Sequence, residues 1–385
     1  MSSIIRLRDF CRGELAWLVE TIEALVRLES PSLDKAAVDR CGAELARRAD
    51  ALGGRVTRLP QRDRGDHLRI EWHRSADRQV LLLGHFDTVW PVGQLARMPL
   101  EPRDGRLYGP GVFDMKAGIA LGLLAIRALQ DLRPTTDDWP SVVMLWTTDE
   151  EIGSETSRHA IETEARRSAA VLVLEPSLPG GALKTARKGC GQYELTVRGV
   201  PAHAGIEPEK GASAVHELAH QILRVNALHD ATRGISVNVT RVSGGRASNV
   251  IPDEARATVD VRATDAAGAQ AIAAAFAGLT PVDPRASLEV RGGLDRPPLE
   301  RTASVAALFE RAKAIAAVIG VDLREGSTGG GSDGNFTAAL GVPTLDGLGA
   351  IGDGAHARHE HVTIEALPDR AALIAGLIQS SEGLQ

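Results

Sequence analysis

Three short apolar runs in the first half of the chain place the strongest limit on its fold. They occupy residues 79–84, 141–147 and 169–175, and an amphipathic helical pattern runs from about residue 114 to 132, between the first two. Continuous apolar runs of this length are typical of strands buried on both faces of a parallel sheet. Strand, helix, strand in this spacing is the βαβ pattern. We therefore predict an α/β domain with a mostly parallel mixed sheet flanked by helices.

The sequence pattern changes near residue 188 and changes back near residue 298. Between these points, the strand segments YELTV, GISVNVT and ATVDVRA surround two alanine-rich helical segments at 212–228 and 265–279, and a proline-rich stretch ends the region. We predict an inserted α+β (ferredoxin-like) domain at 188–298. The main domain would then consist of two parts, residues 1–187 and 299–385.

Length and charge exclude several classes of protein. The chain has 385 residues, 43% of them apolar and 24% charged, so two domains can each bury a core. Its net charge of −6 offers no basic surface for nucleic acid or anionic lipid. The apolar runs are far shorter than the ~20 residues of a membrane span. We expect no nucleic-acid partner and no membrane partner.

The N-terminus and the cysteines indicate a cytoplasmic protein. Arg and Asp interrupt the apolar residues of the first segment, so no signal-peptide core forms. Cys11, Cys41 and Cys190 are odd in number and far apart, which fits a reducing compartment. Any metal ion would therefore be held by His, Asp and Glu.

Each of the three predicted strands is followed by side chains that can bind a metal ion. The first is followed by His85 and Asp87, the second by Glu150 and Glu151, and the third by Glu175. Each group has an ordinary explanation, namely a capped turn, a solvated acidic pair and a strand end. In open α/β sheets, however, ligands bind beyond the carboxyl ends of the strands. Together the three groups predict a binding site at one edge of the sheet.

Two further segments supply metal-ligand residue types. Asp114 follows the glycine-rich turn 108–112 and opens a predicted helix, where it could also be an N-cap. His356, His359 and His361 lie close together near the end of the chain, although the segment could be a solvated polar loop. One bridging carboxylate, with a His and a carboxylate for each of two ions, is the inventory of a two-zinc hydrolytic site.

A rival zinc motif is present at His216 and His220, which satisfy HExxH with Glu217 between them. A third ligand is missing, because Leu223 and Asn226 occupy the positions where the longest form of the motif has Gly and His. We interpret the segment as a helix with both histidines partly exposed and with this buried stripe: Ala214, Val215, Leu218, Ala219 and Ile222.

Five segments, taken in order, resemble the metal-site segments of the glutamate carboxypeptidase family: GHFDTVWPVGQ, LYGPGVFDMKAG, TTDEEIGS, LEPS and GAHARHEHV. This family of co-catalytic di-zinc metallopeptidases includes acetylornithine deacetylase, succinyl-diaminopimelate desuccinylase and several dipeptidases. The insert resembles the family's lid or dimerisation domain through VRGVPAHAG and SNVIPDEARATVDVR. The resemblance covers essentially the whole chain and implies a homodimeric zinc hydrolase whose main domain is catalytic.

The resemblance implies two Zn²⁺ ions per subunit, with Co²⁺ or Mn²⁺ as possible substitutes. Asp114 would bridge the ions, His85 and Glu175 would complete one site, and Glu151 and His356 the other. His356 is chosen over the two later histidines because the family pattern has a Glu four residues after the ligand. The family also tends to have a cis peptide bond directly after the bridging Asp.

The resemblance also implies roles outside the metal ligands. Glu150 would be the general base, and Asp87 would orient the His85 ring by accepting its second N–H. His203 of a neighbouring subunit would donate a hydrogen bond to the oxyanion of the substrate. Without the resemblance, His203 would be interpreted as a histidine in a turn. Four residues would bind substrate: Asn249, Arg262, Gly330 and Gly331. Arg262 would bind a substrate carboxylate with two N–H groups, although without the resemblance it would be interpreted as a salt-bridged strand residue.

Within the family, the turn Gly109-Pro110-Gly111 favours the glutamate carboxypeptidase branch, which cleaves the amide bond next to a C-terminal amino acid with a free carboxylate. An N-acyl-amino-acid deacylase or a dipeptidase is the alternative. More distant alternatives are an HExxH protease and a catalytically inactive binding protein. A preference for C-terminal Glu is a hypothesis, because the nearest basic residues after Glu175 come late: Lys184, Arg187 and Lys188.

Overall fold

A computed structural model describes residues 3–72, 79–132 and 140–380. The chain divides into two compact units. Unit 1 consists of Met1–Thr185, Arg301–Ser327 and Ser332–Gln385, and unit 2 consists of Ala186–Glu300 and Thr328–Gly331. No helix of the described residues is both long enough and apolar enough to cross a membrane.

The helices of the described residues are α1 (Ser3–Gly13), α2 (Leu15–Arg27), α3 (Lys35–Ala51), α4 (Ala117–Leu132), α5 (Arg158–Arg166), α6 (Ala214–Asn226), α7 (Ala266–Ala277), α8 (Ala303–Val318), α9 (Gly334–Ala339) and α10 (Leu367–Gln379). The strands are β1 (Arg55–Leu59), β2 (His67–Trp72), β3 (Gln79–His85), β4 (Glu101–Arg103), β5 (Arg106–Tyr108), β6 (Ser141–Thr147), β7 (Ala170–Val173), β8 (Leu183–Arg187), β9 (Gly189–Arg198), β10 (Ser236–Gly244), β11 (Glu254–Ala263), β12 (Ser287–Arg296), β13 (Glu325–Thr328), β14 (Thr344–Leu345), β15 (Gly352–Asp353) and β16 (His361–Thr363).

The main sheet of unit 1 has the strand order β1-β2-β6-β3-β7-β14. Strands β6, β3, β7 and β14 run parallel, and β1 and β2 join antiparallel at one edge. The three apolar runs form the adjacent strands β6, β3 and β7, in which the described residues are almost completely buried. The predicted mostly parallel mixed sheet is therefore confirmed.

Helix α4 covers one face of this sheet at close range. Most of its residues are buried all round, because it packs against β3 and also against α1 and α10. The predicted amphipathic pattern is therefore wrong for this helix, since a helix with apolar neighbours on all sides needs no polar face. Gly118 permits the close approach, because a Cβ atom there would overlap the carbonyl oxygen of Leu174.

A smaller antiparallel sheet holds two loops of unit 1. Its order is β15-β16-β5-β4. Strand β5 leads into the turn that precedes α4, and the loop between β15 and β16 contains His356. Because β5 pairs with β16, with Tyr108 opposite His361, the turn and the loop emerge from neighbouring strands.

Unit 2 has the element order β9-α6-β10-β11-α7-β12 and an antiparallel sheet ordered β10-β11-β9-β12. This β-α-β-β-α-β arrangement is ferredoxin-like. Both helices begin at a capping side chain: Ser213 accepts from His216 N, and Asp265 accepts from Gly268 N. Near the two ends of unit 2, Arg187 and Leu299 exchange backbone hydrogen bonds of 2.9 and 3.1 Å.

Candidate metal centre

Three of the predicted ligand segments leave adjacent parallel strands at the same level. His85 is the last residue of β3 and lies opposite Thr147, the last residue of β6. Leu83 lies opposite Val173, the last residue of β7, so that Glu175 follows two residues beyond. The short 3-10 turn Glu150–Ile152 begins three residues after β6. The strand register therefore brings these three segments to one edge of the sheet.

Two loops of the smaller sheet bring in the other candidate ligands. Asp114 lies in the irregular segment Val112–Lys116 before α4, and the Asp114–Met115 peptide bond is cis, as predicted. His356 lies in the β15–β16 loop and has a positive φ of 60°.

The side chains form two groups around Asp114. His85 Nε2 lies 3.3 Å from Asp114 Oδ1 and 3.4 Å from Glu175 Oε1. His356 Nε2 lies 3.4 Å from Asp114 Oδ2 and 3.1 Å from Glu151 Oε2. Each oxygen of Asp114 thus faces a different histidine and carboxylate pair, which is the arrangement that a carboxylate bridging two ions requires.

Three buried polar atoms of this cluster have no hydrogen-bond partner within the described chain: His85 Nε2, Asp114 Oδ1 and Glu151 Oε1. Buried polar atoms are normally paired, so converging unpaired atoms need an explanation. One ligand atom from each of these residues lies within 4.8 Å of the other two, and the same holds for His85, Glu150 and Glu175. Nitrogen and carboxylate oxygen atoms at these separations fit divalent cations such as zinc.

The electrostatics of the cluster favour positive charge. Although burial opposes the imidazolium form, Asp114, Asp87 and Glu175 raise the pKa of His85 well above its usual value. Asp114 and Glu151 raise the pKa of His356 to about 10. Burial raises the pKa of Glu151. Since the carboxylates stabilise a cation at this point, divalent ions could take the place of the protons.

Asp87 faces Nδ1 of the His85 ring with both its main-chain oxygen and its carboxylate. His85 Nδ1 lies 3.1 Å from the backbone oxygen of Asp87, with hydrogen-bond geometry, and 3.3 Å from its carboxylate Oδ1. The other carboxylate oxygen accepts from Ser32 Oγ at 2.7 Å and from the backbone N of Glu151 at 3.3 Å. The side chain therefore links the segment after β3 to the turn after β6, and it also approaches the His85 ring beside the main-chain oxygen. No sequence signal points to Ser32.

Unit 2 contains the residues that the resemblance assigned to substrate. His203 is exposed, and its Nδ1 accepts from the backbone N of Gly205 and of Ile206, both at 3.1 Å. In the neutral ring, the proton then lies on Nε2, which can donate a hydrogen bond. Asn249 lies in the facing segment, where its backbone oxygen accepts from Ala204 N at 2.9 Å. The structure thus brings His203 and Asn249 onto neighbouring backbone segments.

Arg262 is engaged within unit 2. Its Nε and Nη2 donate to the two carboxylate oxygens of Asp260 at 3.1 and 3.0 Å, and its Nη1 donates to Gly329 O at 2.7 Å. The fork that was predicted for a substrate carboxylate faces Asp260, because residues two apart in a strand lie on the same face.

Arg187 joins Arg262 in holding the glycine-rich loop. Its buried guanidinium donates to the backbone oxygens of Gly330 and Gly331 at 3.2 and 3.0 Å. From the sequence, Arg187 was considered only as a late basic residue for a substrate side chain, because a contact with backbone carbonyl oxygens leaves no pattern in the sequence.

The HExxH segment has a different role from the one its pattern suggests. His216 and His220 are exposed, and neither belongs to a group of three possible metal ligands among the described residues. Glu217 is buried and accepts from the backbone N of Val282 and of Asp283 at 3.0 and 2.8 Å. The predicted buried stripe of this helix is partly wrong. Glu217, which was not part of the stripe, is buried, whereas two residues of the stripe are exposed: Val215 and Ala219.

The two other late histidines contact residues other than the proposed ligands. His359 is exposed and approaches Asp353 only at 3.9 Å, and the His361 ring contacts Tyr108. Glu360, the Glu of the family pattern by which His356 was chosen, had no predicted role of its own; it is almost fully buried beside the turn that contains Asp114. Burial raises the pKa of its carboxyl to about 7, against the opposing effect of backbone N–H groups.

Comparisons with known proteins agree with this geometry. The profile described as Peptidase family M20/M25/M40 matches residues 81–380. Carboxypeptidase G2 of Pseudomonas sp. (strain RS-16) is 31% identical over 372 residues, which cover 94% of this chain and 88% of that protein. Succinyl-diaminopimelate desuccinylase of Cereibacter sphaeroides is 30% identical over 341 residues, which cover 81% and 86%.

Solved structures share the fold. Aminopeptidase PepT from Bacillus cereus has a TM-score of 0.80 at 24% identity, covering 95% of this chain and 98% of its own. An M20 family metallo-carboxypeptidase from Sulfolobus solfataricus has a TM-score of 0.70 at 18% identity, covering 96% and 99%. Since the family profile matches most of the sequence, the chain belongs to peptidase family M20/M25/M40.

Proposed function

We propose that the protein is a di-zinc hydrolase that cleaves the amide bond next to a C-terminal amino acid with a free carboxylate. The observation that supports it best is the double cluster around Asp114, in which each carboxylate oxygen faces its own histidine and carboxylate. We propose that Asp114 bridges two ions, and that these side chains complete the two sites: His85, Glu175, Glu151 and His356.

Two bound divalent ions would lower the pKa of a water molecule and polarise the scissile carbonyl group. The chain itself supplies the proton transfer. A carboxylate oxygen of Glu150 lies within 4.8 Å of ligand atoms of His85 and Glu175, so it can accept the proton of the attacking water. The same carboxyl group can then return the proton to the leaving nitrogen.

In unit 2, we propose that His203 donates its Nε2–H to the developing oxyanion of a substrate in a homodimer. The contacts of its Nδ1 support this tautomer. Asn249, which lies on the neighbouring segment, and the backbone of Gly330 and Gly331 are proposed to bind substrate. Homodimer formation through unit 2 and a cytoplasmic location stay predictions from the sequence.

The preference for a carboxypeptidase rests on carboxypeptidase G2, which aligns with 94% of this chain. A second candidate is an N-acyl-amino-acid deacylase, since succinyl-diaminopimelate desuccinylase is 30% identical. The two activities break the same kind of bond and differ in the part of the substrate that is recognised.

A substrate screen tests the proposed function. We expect the zinc-loaded enzyme to hydrolyse N-acyl amino acids and X-Glu, X-Asp and X-Ala dipeptides, with kcat/KM at least tenfold lower for the matching C-terminal amides, because a charge-assisted contact to the free carboxylate is lost. A chelator should abolish the activity, and added Zn²⁺ should restore it. Faster hydrolysis of N-succinyl-diaminopimelate than of any dipeptide would instead establish the second candidate.

Arg262 provides a test of how that carboxylate is bound. If the guanidinium exchanges Asp260 for substrate, Arg262→Ala should raise KM by about ten- to a hundredfold with little change in kcat. The reason is that the substrate carboxylate loses one charge-assisted hydrogen bond. Arg256→Ala, in the same strand and exposed, is the matched control. A lower Tm with an unchanged KM would mean that Arg262 only anchors Asp260 and the carbonyl oxygen of Gly329.

A further inference from the structure

Glu360 is a carboxylate beside the cluster that accepts four hydrogen bonds. Its Oε1 accepts from the backbone N of Phe113 at 2.9 Å and of Asp114 at 3.1 Å. Its Oε2 accepts from the backbone N of Gly111 at 2.9 Å and from Trp90 Nε1 at 2.8 Å. The residue is 1% exposed. Each oxygen therefore accepts two hydrogen bonds at a position almost closed to solvent.

Three of these donors belong to the single turn that contains Asp114. The turn has no regular secondary structure to fix it, since Gly111 has a φ of 72° and Asp114 and Met115 have non-helical backbone angles. A side chain at position 111 would approach Thr88 Cγ2 to 2.6 Å, so the backbone path is tightly enclosed. Backbone N–H groups in such a turn need acceptors, and Glu360 supplies them.

The same residue also closes the loop that contains His356. The backbone N of Glu360 donates to Ala357 O at 3.0 Å, and its backbone O accepts from Gly109 N at 3.2 Å. Glu360 therefore joins the His356 loop to the Asp114 turn through both its main chain and its side chain. These two segments provide the side chains that face each other at 3.4 Å in one half of the cluster.

We propose that Glu360 is a positioning residue of the metal centre, which sets the relative placement of Asp114 and His356 by accepting three backbone N–H groups of the turn that contains Asp114. The inference rests on the proposed function, because it assumes that Asp114 and His356 bind metal. The hydrogen bonds of the Glu360 side chain go to backbone N–H groups and to Trp90, so its effect on the proposed ligands passes through the backbone. In metalloproteins generally, residues that hold the metal ligands by hydrogen bonds without binding the metal affect its affinity, and their loss weakens metal binding tenfold to a hundredfold.

The test is the Zn²⁺ affinity of Glu360→Gln, measured in competition with a chelating dye below the unfolding temperature. The amide keeps the shape of the side chain but turns one acceptor into a donor that faces two N–H groups. We expect Zn²⁺ affinity to fall tenfold to a hundredfold, and activity at low Zn²⁺ to fall and then to recover as Zn²⁺ is raised, with KM unchanged. Glu365→Gln, which removes the same charge at an exposed position of the next turn, should bind Zn²⁺ like the parent chain.

A merely structural role would lower the Tm of the metal-free chain and leave its Zn²⁺ affinity unchanged, and this result would overturn the proposal. If Glu360→Gln does not fold, Trp90→Phe removes one of the four donors, and a several-fold loss of Zn²⁺ affinity is then expected; parent-like affinity would again overturn it. Failure of the parent chain itself to bind Zn²⁺ would refute the proposed function, which is a different result.

Discussion

Glu150→Gln should lower kcat by about 10³-fold or more while the bound metal stays at the parent level. The amide cannot accept the proton of the attacking water, and general bases typically contribute 10²–10⁴-fold to rate. The proposed ligands keep their full set of side chains in this variant, so KM should change little. The measurement is steady-state kinetics together with the metal content of the same sample.

The matched control is Glu155→Gln, which removes one negative charge at an exposed position five residues later. It should keep the parent kcat. If Glu150→Gln instead loses metal in proportion to activity, then Glu150 is a ligand rather than the base. The proximity of its carboxylate to His85 and Glu175 makes this distinction worth measuring.

His85→Ala should remove both metal binding and activity. His85 is almost completely buried, and its Nε2 faces Asp114 and Glu175, so the variant loses the nitrogen ligand of that half of the cluster. We expect at least one of two Zn²⁺ ions to be lost and kcat/KM to fall by 10³-fold or more, since the metal supplies charge stabilisation that is worth several kcal/mol. Metal analysis and kinetics on folded protein check this result.

His216→Ala separates this centre from the HExxH alternative. His216 is exposed on α6, and its removal leaves every residue of unit 1 unchanged. The variant should keep its metal and its activity. The reverse pattern, with His216→Ala inactive and His85→Ala active, would show that the zinc site lies on α6.

The parts of the fold that follow from the sequence are those whose pattern is strong and local. Strands β3, β6 and β7 are continuous apolar runs, and parallel neighbours necessarily bring their carboxyl ends to the same edge. The residues after these strands could therefore be grouped before any coordinates were known. Strand β1 is largely exposed, so its residues have no apolar pattern by which they could be recognised.

The parts that the sequence could not supply are contacts between distant segments. Glu360 meets the turn at Asp114 across 246 positions of the chain, and no local pattern records such a pairing. The engagement of Arg262 with Asp260 is the opposite case. The two residues are close in sequence, and the strand pattern alone suggested a salt bridge for Arg262, whereas the resemblance assigned its guanidinium to a substrate carboxylate.

The paired backbones of Arg187 and Leu299 have a consequence for folding entropy. Once unit 2 has formed, its two ends are held a strand spacing apart by hydrogen bonds in both directions. A loop of roughly a hundred residues then behaves like a turn of roughly four, which lowers the free-energy cost of closing the remaining chain by about 3 kcal/mol. If the insert folds early, the entropy cost of bringing the two distant parts of unit 1 together would therefore be close to that of two segments joined by a short turn.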